Sequence, residues 1–98
     1  MAVAVRELFD LSGAVSLVVG GAGHIGTVAC ETLAELGSSV AVADLAEANS
    51  ATVASDLSKE FGVVARPYAV DLSVGEQVSD LPDAVAADFD KIDVWVNN

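Results

Sequence analysis

Four glycines fall within the seven residues Gly20–Gly26 (GGAGHIG). Before them lies a continuous apolar run, Ala14–Val19 (AVSLVV). After them Ile25, Val28, Ala29, Thr32, Leu33 and Leu36 recur at three- and four-residue steps. An apolar run of strand length that ends in glycines and passes at once into helical periodicity leaves few folds open. A buried strand must turn sharply and feed a helix. Gly37 then stands where a helix C-terminus favours left-handed backbone.

The same alternation continues along the chain. Val40–Ala43 (VAVA) is a second buried strand ending at Asp44, and a helix follows through Val53, Leu57 and Phe61 to Gly62. A third strand lies within Val63–Val70, weakened by Pro67, which cannot donate to a sheet ladder. Ser73-Val74-Gly75-Glu76 has the spacing of a capping box, and Val78, Leu81, Val85 and Phe89 carry a helical stripe. Pro82 interrupts that stripe, so a kink or two short helical pieces are expected. Ile92–Val96 (IDVWV) is a fourth strand, with Trp95 as core or interface. Strands alternating with helices over short connections mean parallel pairing and right-handed crossovers. Alanine and valine contribute 17 residues each, which suits strands buried on both faces under close-packed helices. The fold class expected is a Rossmann-like doubly wound parallel sheet, three-layered α/β/α and incomplete. Residues 1–98 form one unit, with 1–12 as a lead-in segment.

Charge narrows the partners. Fifteen acidic against four basic side chains give a formal net charge of −11. Such a surface repels phosphate backbones and anionic lipid, so neither nucleic acid nor a membrane is an expected partner. A lone Cys30 precludes an intrachain disulfide and fits a reducing cytoplasm. Cys30 itself reads as packing within the first helix, and the Asp80–Asp93 acidic series as a solvated face without the clustering of a metal site.

The glycine cluster has a chemical reading. Gly20 allows the turn off the strand. Gly21 and Gly23 leave backbone N–H groups bare for a pyrophosphate, and Gly26 lets the helix pack close to the strand. The helix start at His24 and Ile25 adds unpaired amides and a positive dipole end. The plain alternative is a flexible turn with no ligand. Asp44, roughly 20 residues beyond the glycines, can accept both ribose hydroxyls of an adenosine and would repel a 2′-phosphate, which favours NAD over NADP. No Arg or Lys lies in the loop or directly after Asp44. Asp44-Leu45-Ala46-Glu47 also has capping-box spacing, and one aspartate can serve both ends.

Together, Phe9-Asp-Leu-Ser-Gly13, VSLVVGGAGHIG, VAVADL, VDLS and IDVWVNN resemble the N-terminal half of a short-chain dehydrogenase/reductase of the shorter-chained branch. The resemblance covers residues 9–98. It implies that the Gly20–Gly26 loop holds pyrophosphate, that Asp44 with Leu45 meets the adenine ribose, and that Asp71 and the Leu72 amide meet the adenine edge. Asn97 and Asn98 would open the Asn-Asn-Ala-Gly stretch beside the adenosine ribose. Asp71 could equally cap the following helix. Two departures stand out: Val19 replaces the usual threonine, and His24 replaces the middle glycine. His24 is expected to cap the helix or lie over the phosphates rather than move protons.

Carbonyl reduction in this family implies a tyrosine, a lysine four residues later and a serine, all downstream of the Asn-Asn motif. Tyr68, the single tyrosine, has Leu72 four residues on. The expected function is therefore the cofactor-binding half of an NAD-dependent oxidoreductase acting on an alcohol or ketone, homo-oligomeric at full length, with catalytic residues beyond Asn98. The alternatives are a non-catalytic dinucleotide-binding module and a strand-edge interaction fragment, the latter because a fourth strand ending here leaves an apolar edge.

Overall fold

A computed structural model describes residues 8–98, so the first part of the lead-in segment lies outside the described residues. β1 (Val15–Val19) runs through the interior with all five residues buried. Its period of two sends Val15, Leu17 and Val19 to one face and Ser16 and Val18 to the other. Ser16 is tolerated there because its hydroxyl pairs with the Ser38 hydroxyl at 2.7 Å.

The other elements are α1 (His24–Glu35), β2 (Ser39–Asp44), α2 (Glu47–Phe61), β3 (Ala65–Ala69), α3 (Gly75–Phe89) and β4 (Val94–Asn97). The strands form one parallel sheet in the order β3-β2-β1-β4. The chain winds outward from β1 through β2 to β3, then returns to place β4 on the other side of β1. Strand order therefore reverses between β1 and β4, which opens a crevice at their C-terminal ends. α1 and α2 cover one face through Cys30, Ala34, Ala54 and Leu57, packed on Val18, Val40 and Val42. On the other face Leu81 and Val85 of α3 pack over β1 and β2. The architecture is the expected three-layer Rossmann-like fold, present here as a partial domain. Gly37 (φ +101°) and Gly62 (φ +70°) terminate α1 and α2 in the left-handed region, as their positions imply. Among the described residues no helix is long and apolar enough to cross a membrane.

Four details depart from expectation. α3 is one helix rather than two short pieces despite Pro82, because Leu81 and Val85 are buried on either side of it and hold both halves against the sheet. Ser73 does not cap α3: the cap is Val74, with no side-chain bond, and the Ser73 hydroxyl donates instead to Asp71 Oδ1 at 2.7 Å. Pro67 lies within β3 without weakening it. Val64 C=O and the Val70 N–H bond β2 at 3.0 and 2.9 Å, so even-numbered residues of β3 face β2 and the proline nitrogen points off the open edge. Of the two places expected for Trp95, core or interface, its 51% exposure excludes the core, because β4 pairs with β1 while α3 packs over β1 and β2.

Cys30 is wholly buried, as packing requires. Burial, with a smaller contribution from Glu31, pushes its thiol up to about 12. In the unfolded chain the thiol ionises near ~8.5. Between those values the folded state binds the extra proton, so stability should fall as pH rises through this window, and below it Cys30 should add nothing to the pH dependence. Urea midpoints measured from pH 7 to 10.5 should decline less steeply above pH 8.5 in Cys30→Ala than in the wild type. Equal slopes would show that the thiol ionises in the fold.

Candidate dinucleotide site at the end of the first strand

Where β1 ends, Gly20 takes φ +78°, and the N–H groups of Gly20 and Gly21 both donate to Ala43 C=O, at 2.8 and 3.0 Å. The Ala22 N–H donates to Asp44 Oδ2 at 2.9 Å, and the Gly23 N–H returns to Gly20 C=O at 3.2 Å. α1 starts immediately afterwards. Its first internal tie is the Thr27 N–H to Gly23 C=O at 2.9 Å, and the Thr27 hydroxyl adds a bond to Gly21 C=O at 3.2 Å. The N–H groups of His24, Ile25 and Gly26 find no acceptor among the described residues. Three adjacent free amides at a helix N-terminus, with the dipole behind them, have the geometry that can receive an anion, a candidate cradle.

This reassigns work within the loop. Gly21 does not offer its amide to a ligand. That amide is bonded to the sheet, and a Cβ there would meet Val42 Cγ1 at 2.9 Å and Val18 C=O at 3.1 Å. Gly21 is bare for packing, and the Gly23 amide is likewise spent inside the turn. Gly26 behaves as expected: a Cβ would lie 1.9 Å from Gly20 C=O, so only glycine lets α1 approach β1 this closely. His24 is exposed and forms no cap, since Gly23 is the cap residue and no side-chain bond is made. It lines an open groove with Ala22, Gly23, Thr27 and Val28. Ile25 beside it is 73% exposed.

A second concavity of about 230 Å³ opens between the strand ends, bringing together Gly20, Asp44, Leu45, Asp71 and Leu72, with Val19, Val70 and Ser73. Its walls are aliphatic and its rim carries two carboxylates, a form suited to a flat apolar ring with polar edges. No basic residue lines it. Asp44 is not a helix cap: α2 is capped by Ala46, and the carboxylate instead holds Ala22 and, through Oδ1, the Leu45 N–H at 2.7 Å. Asp71 accepts from the Ser73 hydroxyl and N–H at 2.7 and 3.0 Å, and these bonds hold its carboxyl below the usual range. Gln77, which the sequence did not mark, accepts from the Asp71 N–H at 2.8 Å and tethers this rim. Its signal was weak, a polar residue on the first turn of α3. On the opposite side, the Asn98 N–H donates to Val19 C=O at 3.2 Å, and a Cβ on Gly20 would come within 3.5 Å of the Asn98 backbone and side chain. β4 is thus tied to the loop although Val19 lacks a hydroxyl. Asn97 stands in register with Val19.

Tyr68 lies outside this cleft. Its hydroxyl donates to Asp88 Oδ2 at 2.5 Å, and burial together with that bond raises its pKa well above the usual tyrosine range. No group of three potential metal ligands occurs among the described residues.

A doubly wound sheet with an amide cradle after its first strand and an acidic residue ending its second defines the dinucleotide-binding class of α/β folds. The family model for short chain dehydrogenases matches residues 14–98, and the chain belongs to that family. It is 36% identical over 90 residues to a D-threitol dehydrogenase of Mycolicibacterium smegmatis, covering 92% of this chain and 34% of the relative. The NADPH-dependent 3-quinuclidinone reductase of Rhodotorula rubra superposes with a TM-score of 0.89 at 32% identity, over 97% of this chain and 36% of that one. An NAD+-bound xylitol dehydrogenase does so at 0.82 and 34%, over 87% and 32%. The chain spans about a third of the length of the curated relatives it matches.

Gly23, the cap of α1, and Gly26, within its first turn, should respond differently to a methyl group. Gly26→Ala should cost about 3 kcal/mol or more, or prevent folding, because the obstacle is a backbone carbonyl. Gly23→Ala, whose Cβ would find its nearest neighbour at 3.4 Å, should stay within about 1 kcal/mol. Chemical denaturation of both variants checks this, and comparable losses would refute the close approach of α1 to β1.

Proposed function

We propose that this chain is the cofactor-binding part of an oxidoreductase that moves hydride between a nicotinamide dinucleotide and an alcohol or ketone, and that it takes NAD in preference to NADP. The observation that carries the reading is the pairing of a free amide cradle at His24–Gly26 with the Asp44 carboxylate on the neighbouring strand end. The residues present fit such a cofactor: Gly20 and Gly26 keep clear the turn that side chains would fill.

In this reading the diphosphate lies on the amides of His24, Ile25 and Gly26, with the His24 ring beside it. Asp44 accepts from the adenosine ribose hydroxyls next to Leu45. Val70 and Leu72 flank the adenine, and the Asp71 carboxyl with the Leu72 amide meets its edge. Asn97 and Asn98 border the sugar from the β4 side. When bound, the nicotinamide supplies or accepts the hydride. The proton for a carbonyl oxygen needs a separate acid. Tyr68 is committed to Asp88 and stands apart from the cleft, so we assign proton transfer to the part of the relatives' length that this chain does not span.

Most of the relatives and solved structures named for a cofactor take NADP(H) and one holds NAD+, so the relatives do not carry the NAD preference and it rests on Asp44 alone. A carboxylate there rewards two free hydroxyls and repels a 2′-phosphate, and no Lys or Arg in the cleft lining offsets that repulsion. NADH should bind with a change in nicotinamide fluorescence, and more tightly than NADPH by about tenfold or more, a difference of ~1.4 kcal/mol. Asp44→Ala should weaken NADH and narrow the gap. Equal NADH affinity in variant and wild type would remove Asp44 from the sugar.

A further inference from the structure

Four consecutive amides, from Gly20 to Gly23, hold the turn between β1 and α1 in place. Two end on the Ala43 carbonyl and one on the Gly20 carbonyl, so they depend on backbone alone. The Ala22 N–H differs, since its acceptor is a side-chain atom, Asp44 Oδ2 at 2.9 Å. The other oxygen of that carboxylate is fixed by the Leu45 N–H at 2.7 Å, which aims the group at the loop. The free amides of His24, Ile25 and Gly26 follow directly, so their direction depends on where Ala22 and Gly23 are held. A carboxylate offers about four acceptor positions. Two are used here, and two remain for the hydroxyls of a sugar.

We infer that Asp44 is a positioning residue for the diphosphate-binding turn as well as a sugar contact, so that sugar recognition and diphosphate recognition are coupled through the Ala22–Asp44 bond. The inference rests on the dinucleotide reading above and goes beyond it. Electrostatics makes the two roles separable by sign. A carboxylate that served only the sugar would repel a nearby diphosphate, and deleting it would strengthen binding of any diphosphate that lacks sugar hydroxyls. A carboxylate that also sets the turn has the opposite effect, because its loss releases the amides from their aim.

The test is calorimetric titration of the full chain with ADP and with 2′,3′-dideoxy-ADP, at one fixed salt concentration, in the wild type, Asp44→Ala and Asp44→Asn. The inference expects Asp44→Ala to weaken dideoxy-ADP by about tenfold, the scale of one lost hydrogen bond to a charged group. Asp44→Asn removes the charge and keeps one acceptor oxygen, while its NH2 faces the other of the two N–H groups, so it should bind dideoxy-ADP more tightly than Asp44→Ala does. Dideoxy-ADP bound by Asp44→Ala as tightly as by the wild type, or more tightly, would overturn the coupling while leaving the dinucleotide reading intact. A wild type that binds neither nucleotide would overturn both. Should Asp44→Ala fail to fold by circular dichroism, the wild type decides alone. Saturating adenosine should tighten inorganic pyrophosphate by about threefold or more, whereas 2′,3′-dideoxyadenosine should not, since a coupling free energy of ~0.7 kcal/mol acts both ways. No change with adenosine would sink the coupling.

Discussion

The approach of α1 to the end of β1 governs this structure. With Gly20 in the left-handed region, its carbonyl oxygen occupies the place where any side chain on Gly26 would begin. That contact draws the helix N-terminus over the strand end and leaves three amides without an acceptor among the described residues. Gly21 supports the same approach from below, where Val42 and Cys30 fill the volume that its missing side chain vacates. The anion cradle is therefore a by-product of packing. The glycines that shape it mostly touch protein, and the amides that remain free belong to the helix's first turn.

Around that corner the chain concentrates polar ties, two of them between segments distant in sequence and one local. Asp44 reaches back to Ala22, Asn98 to Val19, and Gln77 to Asp71. All three lie at the C-terminal end of the sheet, where strand order reverses. The opposite end has one cross-element carboxylate tie of this kind, Asp93 Oδ2 accepting from the Val15 N–H at 2.9 Å. A bonded Lys91 and that N–H hold the Asp93 carboxyl below its usual range. In this acidic chain Asp44 and Asp71 at the cleft are bonded to amides and a hydroxyl, whereas Asp93 also takes one of the four basic side chains, Lys91 at 3.0 Å.

The sheet and its helices were legible because their cause is local and repetitive. Apolar runs such as VSLVV and VAVA cannot be half-exposed, and the stripes through Leu57 and Val85 bury one side of a helix whatever surrounds them. Gly20, Gly26, Gly37 and Gly62 were equally plain, since each answers to a backbone angle or a close approach. The failures share one origin, which is competition for a polar side chain. Asp44 and Ser73 both match a helix cap in spacing, yet each makes a bond outside the helix. A motif records which groups are near in sequence, and not which acceptor wins when a loop folds back. The exposure of Trp95 and the continuity of α3 through Pro82 escaped the sequence for a related reason, since both depend on which neighbours cover them.

Composition and order of residues were enough to specify a parallel doubly wound sheet, the glycine turn and the acidic end of β2, because burial and backbone sterics act on each segment separately. Which amides are free, which glycine is bare for protein rather than ligand, and which partner Asp44 takes were settled only by assembly. Those outcomes depend on hydrogen bonds between segments about twenty or more residues apart, and on a helix and a strand competing for the same few ångströms.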